Sequence, residues 1–205
     1  MGEALHSKAD ASLGVAPVKP GTILLARHGR PDADRTVKIG WREYEEWWEG
    51  YDRAALAEGE APPPVLIEAV RDAGVIFASP LARAMATANA AAGGRPVIQD
   101  PVFLEAALPP PPIWGKRTPE AWGVWARMAW WMGRHAGRES REQAELRAEA
   151  AAATLTARAL RGENVALFGH GWFNRMIRPV LRQQGWRCVY DGGDAYWSFR
   201  RYEKR

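Results

Sequence analysis

Two histidine-glycine pairs in this chain each follow a short apolar segment. Arg27-His28-Gly29 comes directly after Thr22-Ile23-Leu24-Leu25-Ala26, and Gly169-His170-Gly171 follows Val165-Ala166-Leu167-Phe168. Apolar runs of this length, bounded by turn or charged residues, are typical of buried strands. Ligands of open α/β sheets bind where strands end. Two imidazoles at such ends, one of them beside an arginine, suggest a phosphoryl-transfer site.

A further arginine, Arg83, lies close to the start of a predicted helix. Ser79-Pro80 follows the apolar run 75–78, with Ser79 as the expected N-cap and Pro80 at the first helical position. A cation in the first turn is unfavourable at the positive end of a helix dipole. A nearby anion would make that charge favourable, whereas an isolated arginine would simply be a solvated surface residue.

The ordered motifs of this chain resemble those of the histidine phosphatase superfamily, the phosphoglycerate mutase-like proteins. They are Arg27-His28-Gly29, then Ser79-Pro80 with Arg83, Ala84 and Thr87, then Glu105 after Phe103-Leu104, and Gly169-His170-Gly171. The resemblance covers residues 22–175. A single Arg-His-Gly triplet arises by chance, but four elements in order and in matching contexts are specific.

The resemblance implies roles for five residues. His28 would be the nucleophile that forms a phosphohistidine, with its pKa lowered by nearby arginines so that the ring is neutral. Arg27, Arg83 and His170 would hold the phosphoryl oxygens and stabilise the transition state. Glu105 would protonate the leaving group, which requires a raised pKa; from its local sequence alone it is equally a solvated loop residue. No metal or other cofactor is expected.

The chain departs from the family pattern in two places. Arg30-Pro31-Asp32 follows the triplet, and Asp34 occupies the position of a frequent family asparagine. Arg30 and Asp34 are kept as candidate substrate contacts, although Arg30 also fits a surface residue. Glu105 is followed by Ala106-Ala107-Leu108 and four prolines in place of the mutase pattern. This second departure favours hydrolysis over phosphoglycerate mutase-like phosphotransfer.

The sequence therefore predicts a metal-independent phosphomonoester hydrolase that acts on an organic phosphate through a phosphohistidine. A phosphohistidine-protein phosphatase and a non-catalytic phosphate-binding module on the same fold are the remaining alternatives. A bulky cap would disfavour a macromolecular substrate, while the altered residues after the triplet motivate the non-catalytic module. The sequence does not identify the natural substrate.

The elements that must position these residues alternate between strand and helix. Strands are predicted at residues 22–26, 75–78, 97–98, 165–168 and 195–202, and helices at 65–72, 81–92, 120–135, 140–160 and 172–184. Such alternation predicts an α/β fold, a single-domain three-layer sandwich with a mostly parallel sheet and helices on both faces. Ser140 and Gln143 form the capping box expected at the start of the fourth helix.

The histidine phosphatase domain is predicted at residues 21–205, after a flexible N-terminal arm at residues 1–20. A Trp-rich cap insertion is expected at about residues 106–139. Its tryptophans are Trp114, Trp122, Trp125, Trp130 and Trp131. Their helical spacing favours packing on the core, and a substrate lid, a dimer surface and a membrane-surface helix are alternatives. An earlier cluster, Trp41, Trp47 and Trp48, is a candidate for the other wall of the cleft.

Composition narrows the class of protein. The 205-residue chain carries a net charge of +4, and most of its 28 basic residues are arginine, whose planar fork suits phosphate. Acidic residues interleave with them, so no nucleic-acid partner is expected. Residues 1–20 lack the apolar core of a secretory signal, the apolar run 121–133 is too short to cross a bilayer, and Cys188 stands alone. We expect a cytoplasmic enzyme, without stable membrane insertion, that acts on a small-molecule phosphate ester; homodimer formation is left open.

Overall fold

A six-stranded mixed sheet forms the centre of the computed structural model, which describes residues 18–205. The strands are β1 (Ile23–Arg27), β2 (Val75–Ala78), β3 (Ile98–Gln99), β4 (Val165–Gly169), β5 (Trp186–Asp191) and β6 (Phe199–Lys204). The helices are α1 (Trp41–Arg53), α2 (Pro64–Val70), α3 (Ala82–Ala92), α4 (Pro119–Trp131), α5 (Arg141–Ala159) and α6 (Gly171–Gln183), and a 3-10 turn spans Pro101–Phe103. Most of the predicted N-terminal arm, residues 1–17, lies outside the described residues.

The strand order brings the two histidine motifs to neighbouring strands. The order is β3-β2-β4-β1-β6-β5, with β1 to β4 parallel to one another. β6 pairs antiparallel with β1, and β5 pairs antiparallel with β6. Arg27, the last residue of β1, pairs with Gly169, the last residue of β4. His28 and His170 therefore leave the sheet side by side, at the carboxyl ends of two central parallel strands.

Apolar side chains of β1 alternate between the two faces of the sheet. Ile23 and Leu25 pack with residues of α5 and α6, whereas Leu24 and Ala26 pack with residues of α2 and α3. Because a strand presents successive side chains to opposite faces, a strand that is apolar at every position requires cover on both sides. The predicted three-layer α/β fold with a mostly parallel sheet is confirmed.

The predicted elements are all present, although some of their bounds differ. The last strand was expected from residue 195, but β6 begins at Phe199 because residues 195–198 form a turn in which Trp197 has a φ of 62°. The helix expected to reach residue 135 ends at Trp131, shortly before Gly133 with its φ of 89°. Two elements, α1 and β5, were not predicted.

The capping box predicted at the start of α5 is confirmed. The Ser140 hydroxyl accepts the Gln143 N–H at 3.2 Å, and the Gln143 side chain accepts the Ser140 N–H at 2.9 Å. These two bonds satisfy helix-end donors that would otherwise lack a partner.

Helices α1 and α4 contact each other through aromatic side chains. The Tyr44 and Trp122 ring centroids are 6.1 Å apart, and the indole N–H of Trp122 donates to the Ile39 carbonyl at 2.7 Å. Within the predicted cap segment, Trp122 and Trp130 are buried as core packing predicts, whereas the remaining three tryptophans are exposed, namely Trp114, Trp125 and Trp131. Among residues 18–205, no helix is both long and apolar enough to cross a bilayer.

Candidate active site

His28 and His170 are buried neighbours at the ends of β1 and β4. Their ring centroids lie 5.2 Å apart. The backbone N–H of His28 donates to the Gly169 carbonyl at 3.0 Å, which continues the strand pairing one residue beyond β1. The parallel pairing thus brings together two imidazoles that are far apart in the sequence.

The His28 ring has one nitrogen engaged and one left for chemistry. Its Nδ1 lies 2.7 Å from the Gly29 carbonyl oxygen, which only accepts hydrogen bonds, so Nδ1 carries the proton and Nε2 keeps its lone pair. Burial and then the positive charge of Arg83 hold the pKa of His28 well below its usual range, with smaller contributions from Arg27 and Arg35. The ring is therefore neutral at neutral pH, as a nucleophile requires.

His170 is held by Ser79 rather than by a carboxylate. Its Nε2 lies 2.8 Å from the Ser79 hydroxyl, and its Nδ1 is buried without a hydrogen-bond partner among residues 18–205. Burial, then Arg83 and His28, lower the pKa of His170 well below its usual range. The prediction that Ser79 caps α3 is wrong, because the helix begins at Ala82 and Leu81 is its N-cap residue.

Arg27 ends β1 and is fixed by the loop between β5 and β6. Its Nη1 donates to the Asp194 carbonyl at 2.5 Å, and its guanidinium lies 4.3 Å from the Tyr196 ring centroid. The Asp194 carboxylate in turn pairs with Arg178 at 2.5 Å and Arg200 at 2.9 Å. This anchored loop holds the Arg27 guanidinium at the carboxyl edge of the sheet.

Arg83, in the first turn of α3, is tethered by α1. Its Nη1 donates to the Tyr51 carbonyl at 2.9 Å, and Nη1 and Nη2 both donate to one Asp52 carboxylate oxygen at 3.1 Å. The guanidinium also lies 4.4 Å from the Tyr51 ring centroid. Its Nε is buried and has no partner among the described residues. The cation is therefore pre-oriented, with part of its hydrogen-bonding capacity unused.

Glu105 lies in the loop after the 3-10 turn, against the start of α6. Its carboxylate accepts the backbone N–H of Phe173 at 2.8 Å and that of Trp172 at 3.3 Å, in the first turn of α6. Burial raises the pKa of Glu105, and the Phe173 hydrogen bond and the Arg83 charge oppose this rise without cancelling it. Such a carboxyl group is suited to donate and then recover a proton.

The glycines that follow the two histidines leave room for neighbouring side chains. A Cβ on Gly29 would lie 2.4 Å from the Trp197 ring, and one on Gly171 would lie 3.2 Å from the Arg27 Nε. The Gly29 N–H donates to the Thr87 hydroxyl at 2.9 Å. Close packing against the Trp197 ring thus requires a glycine at position 29, which explains the last residue of the Arg-His-Gly triplet.

A cavity of about 280 Å³ opens in front of His28. Arg27, His28 and Glu105 line one side of it. The aromatic wall from α1 consists of Tyr44, Trp47, Trp48 and Tyr51, and the opposite wall comes from α4 and the start of α6. Of the early tryptophan cluster, Trp41 is not among the lining residues. Within residues 18–205, no three His, Cys, Asp or Glu side chains are grouped to hold a metal ion.

Arg27, His28 and Glu105 are the predicted site residues that line the cavity, whereas Arg83, His170, Arg30 and Asp34 do not. The exposed Arg30 side chain pairs with Glu60 at 3.2 Å. The exposed Asp34 carboxylate accepts both the backbone N–H and the hydroxyl of Thr36, at 2.8 and 2.7 Å. Both groups have hydrogen-bond partners outside the cavity, and their assignment as substrate contacts stays a prediction.

Several residues at the site escaped the sequence analysis. Arg35 lines the cavity, and its Nη1 donates to the Tyr196 hydroxyl at 2.5 Å. The Tyr196 ring lies 5.5 Å from the His28 ring. Arg127 of α4 also lines the cavity. The sequence signal that could have identified it is its position as the one cation in the apolar run 121–133. Nothing local distinguished Arg35 or Tyr196, since their positions depend on how two distant loops meet.

Comparison with known proteins agrees with this geometry. Residues 23–187 match the histidine phosphatase superfamily (branch 1). No protein of curated function shows a significant match. A solved structure of mycobacterial glucosyl-3-phosphoglycerate phosphatase with VO3 is similar, with a TM-score of 0.59, 22% identity, and coverage of 88% of this chain and 92% of that one.

Two further solved structures share the fold. A phosphoserine phosphatase from Entamoeba histolytica, in complex with 3-phosphoglyceric acid, has a TM-score of 0.54 at 17% identity and 80% coverage of each chain. A protein described as mycobacterial hydrolase 1 has a TM-score of 0.58 at 20% identity, with coverage of 89% of this chain and 90% of that one. From the family match over most of its length, the chain belongs to branch 1 of the histidine phosphatase superfamily.

Proposed function

We propose that the protein is a phosphomonoester hydrolase that works through a phosphohistidine at His28. The observation that carries the proposal is the buried, neutral imidazole of His28, held through Nδ1 by Gly29, with His170 at 5.2 Å and the acid Glu105 on the same cavity. The similar solved structures named as phosphatases support hydrolysis as the reaction class.

In the first step, His28 Nε2 attacks the phosphorus atom. A P–N bond forms, the P–O bond to the leaving group breaks, and Glu105 gives its proton to the departing oxygen. Arg27, Arg83 and His170 bind the other phosphoryl oxygens and stabilise the charge that they carry in the transition state. The hydrogen bond from Nδ1 to the Gly29 carbonyl stabilises the ring as it becomes positively charged.

In the second step, water attacks the phosphohistidine. The Glu105 carboxylate takes a proton from the water, a P–O bond forms, and the P–N bond breaks to return neutral His28 and release inorganic phosphate. The pKa of Glu105, raised by burial, suits a group that must be protonated in one step and a base in the next.

Cavity size supports a small substrate. A volume of about 280 Å³ suits a small organic phosphate, since pockets for drug-sized ligands begin at roughly 300 Å³. Because α1, α4 and α6 form walls around the cavity, a small substrate fits it better than a folded phosphoprotein does. The phosphohistidine-protein phosphatase is therefore the weaker alternative.

Replacement of His28 tests the proposal. The His28→Ala variant should lose turnover of p-nitrophenyl phosphate, while His135→Ala, which removes an exposed histidine of the cap, should keep it. Unchanged turnover in His28→Ala would exclude the proposed nucleophile. If the wild-type chain binds phosphate esters and turns none over, the protein is a phosphate-binding module and the hydrolase proposal fails.

A further inference from the structure

Arg127 is a cation in the cavity wall that no carboxylate neutralises. Among residues 18–205, no acidic side chain lies within salt-bridge distance of its guanidinium, and its buried Nε has no hydrogen-bond partner. The guanidinium lies 4.8 Å from the Trp172 ring centroid. Burial lowers the pKa of Arg127, and the charge of Glu105 partly offsets this. A partly buried cation of this kind costs free energy unless an anion accompanies it.

The other arginines that line the cavity each donate to a partner. Arg175 donates to an Asp194 carboxylate oxygen at 2.9 Å, Arg27 to the Asp194 carbonyl at 2.5 Å, and Arg35 to the Tyr196 hydroxyl at 2.5 Å. Arg127 differs from them because no residue among 18–205 accepts a hydrogen bond from its guanidinium. The other charged residue of α4, Glu120, also lines the cavity but is not within salt-bridge distance of Arg127. The missing partner of Arg127 is explained if that partner arrives with the substrate.

Unpaired donors accompany Arg127 on the same cavity. The Tyr44 hydroxyl and the Trp172 indole N–H are buried, and neither has a hydrogen-bond partner among the described residues. Tyr44, Arg35 and Arg127 all line this cavity. Buried polar groups of folded proteins are almost always paired. A set of donors without an internal acceptor is typical of a site for an oxygen-rich, negatively charged group.

The location of Arg127 relative to Glu105 indicates which end of the substrate carries the negatively charged group. The phosphoryl group belongs with His28 and Arg27 at the strand ends, and Glu105 marks the leaving-group oxygen. The Arg127 guanidinium lies 4.8 Å from the Trp172 ring centroid, and the backbone N–H of Trp172 donates to the Glu105 carboxylate at 3.3 Å. Arg127 therefore neighbours a residue that holds Glu105, on the leaving-group side. We infer that the substrate is a small phosphate monoester whose leaving group carries a second acidic group, bound by Arg127. This inference rests on the proposed hydrolase function.

A carboxylate and a second phosphate both supply the required chemistry. Each offers several acceptor oxygens and at least one negative charge, and the planar fork of Arg127 can bind either through two hydrogen bonds. The cavity of about 280 Å³ restricts the spacing to a few bonds between the ester oxygen and the second acid. Two pairs of substrates distinguish a carboxylate from a second phosphate, and within each pair the phosphorylated carbon chain has the same length.

The test compares kcat/KM within each pair. 3-Phosphoglycerate is compared with glycerol 3-phosphate, and propane-1,3-diol bisphosphate with propane-1,3-diol monophosphate. The wild-type enzyme should prefer the diacid of at least one pair by about ten- to hundredfold, the range for a hydrogen bond between charged groups. Arg127→Met should bring that ratio close to one, and Arg127→Lys should retain part of it.

A matched control uses another arginine of the cap. Arg134 is exposed and lies outside the cavity lining, so Arg134→Met changes the net charge equally and should preserve both the ratio and the rate. If the wild type lacks a preference in both pairs, or if Arg127→Met keeps it, the inference is wrong while hydrolysis itself stands. If no ester is turned over, the proposed function fails; calorimetric binding of 3-phosphoglycerate and glycerol 3-phosphate then decides the inference by the same comparison.

Discussion

The Glu105 carboxylate accepts the backbone N–H of Phe173 at 2.8 Å. Phe173 belongs to the first turn of α6, the helix that begins directly after His170. The start of α6 therefore positions both the His170 imidazole and the Glu105 carboxyl group. The positive end of that helix favours the charged carboxylate, whereas burial favours its protonated form, and burial is the larger effect on the pKa of Glu105.

The acid role of Glu105 predicts a dependence on the leaving group. Glu105→Gln keeps a hydrogen-bonding side chain of the same size but has no proton to donate. Its turnover of a poor leaving group, such as an alkyl phosphate, should fall by about a hundred- to ten-thousandfold. The loss should be smaller for p-nitrophenyl phosphate, whose leaving group needs little protonation. The comparison uses kcat/KM, which depends on the steps up to formation of the phosphohistidine and not on its hydrolysis. Equal losses of kcat/KM for both esters would rule out proton donation by Glu105.

Asp52 is predicted to position Arg83 for phosphate binding. Asp52→Asn removes the charge that accepts two Arg83 hydrogen bonds at 3.1 Å, so inhibition by inorganic phosphate should weaken by about tenfold. Asp52→Glu should restore part of the affinity, and the exposed Asp32→Asn should leave it unchanged. Inhibition constants that are the same in wild type and Asp52→Asn would show that Arg83 does not depend on this tether.

Close packing at Gly29 predicts a stability cost for the smallest substitution. The Cβ of Gly29→Ala would lie 2.4 Å from the Trp197 ring, and overpacking of this kind costs about 1–3 kcal/mol. In Gly50→Ala the new methyl group meets no atom within 4 Å, and because Gly50 lies inside α1 that change should stabilise the protein. Urea denaturation measures both. A Gly29→Ala variant as stable as wild type would show that Trp197 moves aside freely.

The two buried histidines predict a loss of stability in acid. Since the folded protein holds the pKa of His28 and His170 low, the unfolded chain binds more protons below about pH 6.5. The free energy of unfolding should therefore fall as pH falls from 6.5 towards 5, by about 1.4 kcal/mol per pH unit for each histidine.

A variant of His170 measures how much this one ring contributes to the pH dependence of the free energy of unfolding. His170→Asn removes one protonation site, so its stability should depend on pH less steeply than that of wild type between pH 6 and 5. His135→Asn removes an exposed histidine and should keep the wild-type slope. Parallel stability curves for wild type and His170→Asn, measured by urea denaturation, would contradict the burial of a neutral ring at this position.

The sequence predicted the parts of the site that lie directly at strand ends. His28 and His170 follow apolar runs that are buried on both faces of the sheet, and this local pattern is sufficient to locate them. Helix α1 was missed although Tyr44, Trp48 and Tyr51 follow helical spacing, because its aromatic residues and Gly50 have low helix propensity. Tertiary contacts such as that between the Tyr44 and Trp122 rings accompany the helix.

Contacts between distant loops could not be predicted from the sequence. Asp52 and Tyr196 reach the site only because α1 and the turn before β6 meet over His28, and no local spacing encodes that meeting. Ser79 was predicted as a helix cap from its position before Pro80, but its hydroxyl has a stronger partner in His170 at 2.8 Å. The family resemblance supplied the residue types of the site, while the folded chain determined their partners.

Trapping of the phosphorylated enzyme tests the central claim most directly. Wild-type protein is mixed with 32P-labelled p-nitrophenyl phosphate, quenched in alkali within milliseconds, and digested for peptide mapping. The account predicts an acid-labile, alkali-stable label on the peptide that contains His28, present in His135→Ala and absent from His28→Ala. Rapid turnover by the wild-type enzyme with no label on His28, or with the label on another residue, would contradict it.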